Sequence, residues 1–447
     1  MNRTKQLYRL IAIILVALTT ISVKAQKFSV VGGNELSYAY YEEYNSTSTI
    51  NAVYIVYGTA DKSLQFETNS GNSVIWYTYE DVLTPLASEQ NGRYSTIPLT
   101  QSECGFIAMD GDKPYYIYVI DYIKNQLSLT SVTTDGNEAA CDIITLNIQG
   151  AGEKMNYYAF NNKMPYEVKR DITIAYNSLE WDEEMLQYNE VVREVVINQF
   201  SSSYPVAAPL CNTIFTVRGD KFLEAWGMEQ IVESAEYTTV AVEAQAQATQ
   251  TYREAANEID RQPENLGGSA PAEIEFNAYY TDAVTHVEWQ FSQDANFNTI
   301  THRYTDDLLR YTFREEGTTY VRLVVTSNNE SCIYESEPMV VTIGTSMLEI
   351  PNAFSPGTID GKNDEWRVAF KSLVEFRCWI FNKQGVEMYY SENPGEGWDG
   401  KHAGRLASPG VYYYVIEARG ADGTEYKRSG HINLMRSKKN AKSNNNV

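Results

Sequence analysis

Ile350-Pro351-Asn352-Ala353-Phe354-Ser355-Pro356 opens the stretch that decides the fold, and Pro409-Gly410-Val411-Tyr412-Tyr413-Tyr414-Val415-Ile416 lies near its end. Val411, Tyr413 and Val415 alternate with Tyr412, Tyr414 and Ile416, so the strand is apolar on both faces and belongs at the centre of a two-sheet sandwich. Pro351 and Pro356 bracket an extended entry segment, because proline restricts itself and its preceding neighbour to extended geometry. Asp360-Gly361 and Asn363-Asp364 form consecutive tight turns ahead of residues 365–370, where Trp366, Val368 and Phe370 share one face. Between these lie Phe381-Asn382-Lys383-Gln384-Gly385 and Gly397-Trp398-Asp399-Gly400, the latter holding an aromatic ring between two turns.

Working outward, the same grammar recurs. The chain has 447 residues, too many for one core at roughly 100–200 residues per domain. Its 34 tyrosines and its short alternating runs, punctuated by Gly, Asn, Asp and Ser, predict small antiparallel β domains. A tryptophan on a central strand (Trp76) resembles the immunoglobulin-like arrangement in architecture, so the fold class expected is all-β, tandem immunoglobulin-like β-sandwich domains ending in a small β-sandwich. Residues 26–149 predict an immunoglobulin-like domain, with Val74, Trp76 and Thr78 on one strand face and a hairpin at Asp110-Gly111-Asp112-Lys113. Residues 150–262 predict a second sandwich. Within residues 237–258, Val240, Val242, Ala244, Ala246 and Ala248 alternate at period two and favour a strand that closes this second unit; helix propensity over 249–259 keeps a helix open. Residues 263–270, rich in Pro, Gly and Ser, are expected to be a linker.

At the N-terminus, Arg3, Lys5 and Arg9 precede an apolar run over residues 10–23, and Val23-Lys24-Ala25 follows. This pattern predicts a signal peptide at 1–25 and a mature chain from Gln26, with no cysteine placed for a lipid anchor. No later run is long enough to span a membrane as a helix. The net charge of −22 disfavours nucleic acid and anionic membrane surfaces as partners, and it suits an exported soluble surface.

Two resemblances refine this frame. The motif order over residues 347–436 closely resembles the gliding-motility-associated C-terminal domain of Bacteroidetes proteins, the type B sorting domain of type IX secretion. The residues that carry it are Pro351, Asn352, Phe354, Ser355, Pro356, Asp360, Gly361, Asn363, Asp364, Phe381, Asn382, Gly385, Gly397, Trp398, Asp399, Gly400, Pro409, Gly410 and Tyr412. Two departures stand out: Gly357-Thr358-Ile359-Asp360-Gly361 replaces the usual Asn-Gly-Asp-Gly, and Lys383-Gln384 replaces the usual Arg-Trp. The resemblance implies recognition by the type IX translocon after Sec export, and a place on the cell surface or outside the cell. Residues 437–447 form a basic, polar tail expected to be disordered. Residues 315–326, with Trp289-Gln290-Phe291-Ser292, resemble a polycystic-kidney-disease-like (PKD-like) sandwich over 271–344, although its Gly-Asp-Gly turn is absent.

Signs of chemistry are sparse. Export permits disulfides, and of the five cysteines Cys104 and Cys141 form the candidate pair within one predicted domain; Cys378 is expected to be a buried free thiol. No cofactor is expected, and no metal: the four histidines, His286, His302, His402 and His431, have no metal-binding spacing, and Asp294 with Asn296 lacks the acidic partners of a calcium loop. Cys104 has no histidine in its own domain to activate it. Trp181-Asp182-Glu183-Glu184 offers paired carboxylates for glycoside cleavage, or simply a solvated loop. The sequence therefore points to a non-catalytic stalk or adhesive and recognition array for a glycan, host or envelope protein. The alternatives are a surface glycan-active hydrolase and a structural component of an envelope or gliding complex.

Overall fold

The computed structural model describes residues 27–40, 50–101, 103–134, 141–161, 163–328, 331–357 and 363–436. The expected signal peptide, the tail at 437–447, and the turn residues Asp360 and Gly361 lie outside them. The fold is all-β. Among the described residues the single α-helix is the short Lys221–Ala225. None is long and apolar enough to cross a membrane.

The first sandwich pairs a four-stranded sheet (Phe28–Gly32, Lys62–Glu67, Tyr94–Pro98, Glu89–Asn91) with a five-stranded one. In the latter the order is Ser37–Tyr40, Ala52–Val56, Lys113–Asp121, Cys104–Asp110, Val74–Thr78. Ala52–Val56 is buried at every position and pairs in parallel with Lys113–Asp121, as expected of a strand covered on both faces. Ala52, Tyr54, Val56, Ile117 and Val119 face a core with Phe66 and the fully buried Trp76. The alternate residues Val53, Ile55, Tyr118 and Ile120 face a different core, shared with Ile144, Ile174 and Phe222 of the next unit. Each such buried side chain contributes roughly 1.5–3 kcal/mol, so the first two units are joined by a common hydrophobic layer.

The second unit comprises Ser128–Thr134, Ile143–Ala151 and Ser203–Ala207 in one sheet, and Gln187–Ile197, Ile172–Asp182, Thr216–Arg218 and Ile231–Glu233 in the other. The boundary drawn at 149/150 falls inside the strand Ile143–Ala151. A buried ion pair sits between the two units. Arg170 and Asp220 have no exposed side-chain surface, and Arg170 Nη1 lies 2.6 Å from Asp220 Oδ2. Tyr122 donates its hydroxyl to Asp220 at 3.0 Å, and the Leu223 amide donates to the same carboxylate at 3.1 Å, capping the helix. Arg170 Nη2 donates to the carbonyls of Glu153 and Asn125. Burial pushes the Asp220 carboxyl upward, against the opposing pull of Arg170 and the hydrogen bonds.

The third sandwich begins earlier than the sequence suggests. Ala244–Thr251 is a strand, not a helix, but it pairs antiparallel with Ala272–Tyr280, so it opens the third unit instead of closing the second. The expected linker is also structured: Leu266–Gly268 pairs in parallel with Val341, Thr342 and Ile343. Gly267 has φ +106°, and a Cβ there would collide with the Thr342 carbonyl. The glycines of the expected linker are therefore sites of close backbone approach. Trp289 and Phe291 are fully buried in this core.

The candidate Cys104–Cys141 disulfide is overturned. Cys141 is bonded to Cys332, with Cα atoms 5.4 Å apart, joining the second unit to the third. Cys104 is buried on Cys104–Asp110 as a free thiol, pushed up to about 11 by burial and by the charge of Glu80. Cys378 is likewise free and buried. Within-domain pairing fails because Cys141, just ahead of Ile143–Ala151, meets the third unit, where its sulfur lies 3.2 Å from the Ser331 carbonyl oxygen.

Two outcomes test this architecture. Peptide mapping of the unreduced protein should find Cys141 linked to Cys332 and Cys104 alkylatable only after unfolding; a Cys104 crosslink would contradict the fold. Asp220→Ala, which strands the Arg170 charge, should cost about 3–5 kcal/mol in denaturant unfolding, and the double variant R170M/D220L should cost less.

Candidate functional site

The final domain is built on a five-stranded sheet ordered Ala353–Phe354, Glu425–Leu434, Gly410–Gly420, Leu373–Phe381, Glu387–Ser391. Gly410–Gly420 lies centrally, as its apolar character implies, but only one face is covered. Tyr412, Ile416 and Ala418 are buried, whereas Val411, Tyr413 and Val415 are 46%, 49% and 38% exposed. Beside them Trp379 and Tyr390 pair with ring centroids 5.4 Å apart. The expected second sheet does not cover this side.

The motif residues converge at one end of that sheet. Phe354 is buried, and Ala353–Phe354 adds in parallel to Asn433 and Leu434. Its ring lies 5.3 Å from Trp398, which in turn packs edge-on against Tyr412 at 4.9 Å. Each polar edge of this aromatic knot is satisfied. Trp398 Nε1 donates to the Lys401 carbonyl at 2.8 Å, Trp366 Nε1 to the Pro351 carbonyl at 2.7 Å, and the Tyr412 hydroxyl to the Ser408 carbonyl at 2.8 Å. Trp366 and Trp398 also exchange backbone hydrogen bonds at 2.9 and 3.0 Å. The prolines and glycines of the motif thus shape the turns that let two tryptophans share one small core.

The polar motif residues hold turns. Asn382 Oδ1 accepts from the Gln384 and Val386 amides at 2.9 and 3.0 Å, closing the hairpin whose φ +82° corner is Gly385. The Gly357 amide donates to Asp364 Oδ1 at 2.9 Å, and the Ser355 amide to the Asn363 carbonyl at 2.9 Å. Burial raises the Asp399 carboxyl, but hydrogen bonds from the Lys401 side chain and backbone outweigh it and hold the group below its ordinary value. Gly400, at φ +71°, packs against the Pro356 ring, where a Cβ would sit 3.0 Å from Cγ. Pro409 and Gly410 remain exposed at the strand start.

Arg436 belongs to this constellation and escaped the sequence analysis. It donates to the carbonyls of Ala407 at 2.7 Å and Gly400 at 3.0 Å, tying the last described residue to the Gly-Trp-Asp-Gly turn. A terminal arginine beside a basic tail carries no local signal of such a role. The contribution of the third unit was equally hidden. Ala255 joins the domain's core, Asn257 Nδ2 donates to Val368 and Pro394 carbonyls at 2.7 and 2.8 Å, and Ser269 and Ser372 hydroxyls each accept a backbone amide from across the junction. This junction meets the Gly420 end of the central strand, where Ala421 binds both Ser372 and Glu316. The junction also extends toward the motif: Ala255 shares the core of Trp366 and Trp398, and a Cβ on Gly395 would lie 3.1 Å from the Ala255 Cβ.

The acidic run Trp181-Asp182-Glu183-Glu184 is a hairpin tip. Asp182 Oδ1 accepts from the Glu184 and Met185 amides at 2.9 and 3.0 Å, and Glu183 and Glu184 are exposed. Asp294 similarly accepts from the Asn296 and Asn298 amides at 3.1 Å each. Among the described residues no three His, Cys, Asp or Glu side chains cluster as a metal site.

Residues 348–434 match the CHU_C type IX secretion signal domain, and residues 133–234 match the fibronectin type III domain. The chain thus carries a type IX secretion signal at its C-terminal end, preceded by an immunoglobulin-like fibronectin type III domain. No curated protein matches it. A solved tetra-tandem repeat from the extending region of a large adhesion protein is 11% identical, covering 84% of this chain and 95% of that one, with a TM-score of 0.19. The three N-terminal domains of the bacteriophage RB49 Highly Immunogenic Outer Capsid protein are 12% identical, covering 70% of this chain and 100% of theirs, with a TM-score of 0.22. At these scores neither similarity assigns an arrangement or a function.

Trp398→Ala should cost about 3–5 kcal/mol locally, opening the knot. Limited proteolysis of the full chain should then cut first within residues 350–410, whereas the solvent-facing Tyr413→Ser should leave the cleavage pattern unchanged.

Proposed function

We propose that this chain, which ends in a type IX secretion signal domain, is a secreted surface protein whose preceding units form a non-catalytic recognition or adhesive array. The observation that carries this reading is the position of the motif. Phe354, Trp366, Trp398 and Tyr412 form one buried knot, and the Gly385 turn, Pro409 and Gly410 lie exposed at the same end of the sheet, a rigid surface for a secretion machine to grip. Recognition by that machinery implies export to the cell surface or beyond; an N-terminal Sec signal peptide would supply passage across the inner membrane. The matched families are of non-catalytic kinds, and the acidic run of residues 181–184 is spent on a hairpin turn. This supports recognition over hydrolysis. The exposed aliphatic and aromatic face around Tyr413 gives the sorting domain a surface on which protein partners can pack.

Deleting residues 348–436 and fractionating the producing cells tests the export half of the proposal. The truncated protein should accumulate in the periplasm, while the intact chain reaches the surface or medium. Undiminished surface display of the truncated form would overturn it.

A further inference from the structure

A trough of about 960 Å³ runs along the junction between the third sandwich and the secretion signal domain. Its floor is the outer face of Met339–Ile343, where Val340 and Thr342 point to solvent. One wall is the turn carrying Glu264 and Asn265, the rim carries the Tyr252 ring, and Lys371 of the signal domain closes one end. The volume is at the upper end of the roughly 300–1,000 Å³ usual for ligand clefts, and domain junctions are where such clefts concentrate.

Its chemistry narrows the occupant. The Lys371 ammonium is already paired with Asp260, so the trough offers no unpaired cation to phosphate or carboxylate ligands. Glu264 and Asn265 make no hydrogen bond or ion pair with other described residues, leaving an acceptor-rich rim over an apolar floor. Strand addition by a peptide is also blocked. The Gly267 amide donates to Gln250 Oε1 at 2.7 Å and its carbonyl accepts from Gln250 Nε2 at 2.8 Å, so one carboxamide occupies the backbone groups a new strand would need. What remains is a partly exposed aromatic ring for C–H faces, an aliphatic floor, and hydroxyl, amide and carboxylate groups for hydrogen bonding.

We propose that this trough binds a neutral carbohydrate chain. Tyr252 forms the stacking platform, and Glu264, Asn265 and Thr342 read its hydroxyls. The proposal rests on the recognition reading above and gives it a ligand class. The experiment is calorimetric titration of the full chain with cellohexaose, laminarihexaose, maltohexaose and chitohexaose. At least one should bind, and Tyr252→Ala and Glu264→Ala should each weaken it at least about tenfold, the loss expected for one stacking or charged hydrogen-bonding group. Tyr94→Ala, on an exposed strand of the first sandwich, should leave affinity unchanged, and an unaltered melting curve for each variant excludes misfolding. Binding that survives both trough substitutions overturns this site while leaving the recognition array intact. Failure of all four hexasaccharides to bind overturns the carbohydrate assignment, and if the same preparation still adheres to intact cells, the recognition reading outlives it.

Discussion

The architecture depends on one doubly covered sheet. Ala52–Val56 and Lys113–Asp121 send alternate side chains into two different cores, so the first two units cannot be parted without exposing Val53, Ile55, Tyr118 and Ile120 to water. The Arg170–Asp220 pair sits in the same layer and adds directionality that hydrophobic packing lacks. Tyr122 reaches from the first unit to the carboxylate, and the Asp220 carboxylate caps a helix of the second. The hydrophobic layer supplies adhesion between the units, and the ion pair supplies register.

The same logic of shared surfaces continues along the chain. A disulfide ties the second unit to the third, and the third lends Ala255, Asn257 and Ser269 to the secretion signal domain. Each boundary is thereby crossed by packing, a covalent bond or reciprocal hydrogen bonds. The motif knot draws on both sources, held by its own tryptophans and Arg436 and by Ala255 and Asn257 of the third unit.

Periodicity made the strands legible because a two-residue repeat is local. Val74, Trp76 and Thr78 are buried on one face as the alternation implies. The motif knot was legible for a similar reason: each proline, glycine and tryptophan dictates geometry within a few residues. Partnership between distant segments left no such trace. Ala244–Thr251 reads as a strand, but nothing local says that it pairs forward with Ala272–Tyr280. Gly267 and Gly268 read as part of a linker because glycine permits both freedom and close approach, and only the neighbouring Thr342 carbonyl decides between them. Cys141 seemed to belong with Cys104 by proximity in sequence, whereas its true partner lies 191 residues away.

That long bridge changes how the molecule carries a load. Tension entering near the N-terminus and leaving through the C-terminal domain can pass directly from Cys141 to Cys332, bypassing every residue between them. Without the crosslink, those residues could be drawn out by about 650 Å at full extension. With it, the strands enclosed between the two cysteines are shielded from the pull, and the load falls on the first sandwich, the signal domain and the strands Ser128–Thr134 and Met339–Ile343 that lie outside the bridge.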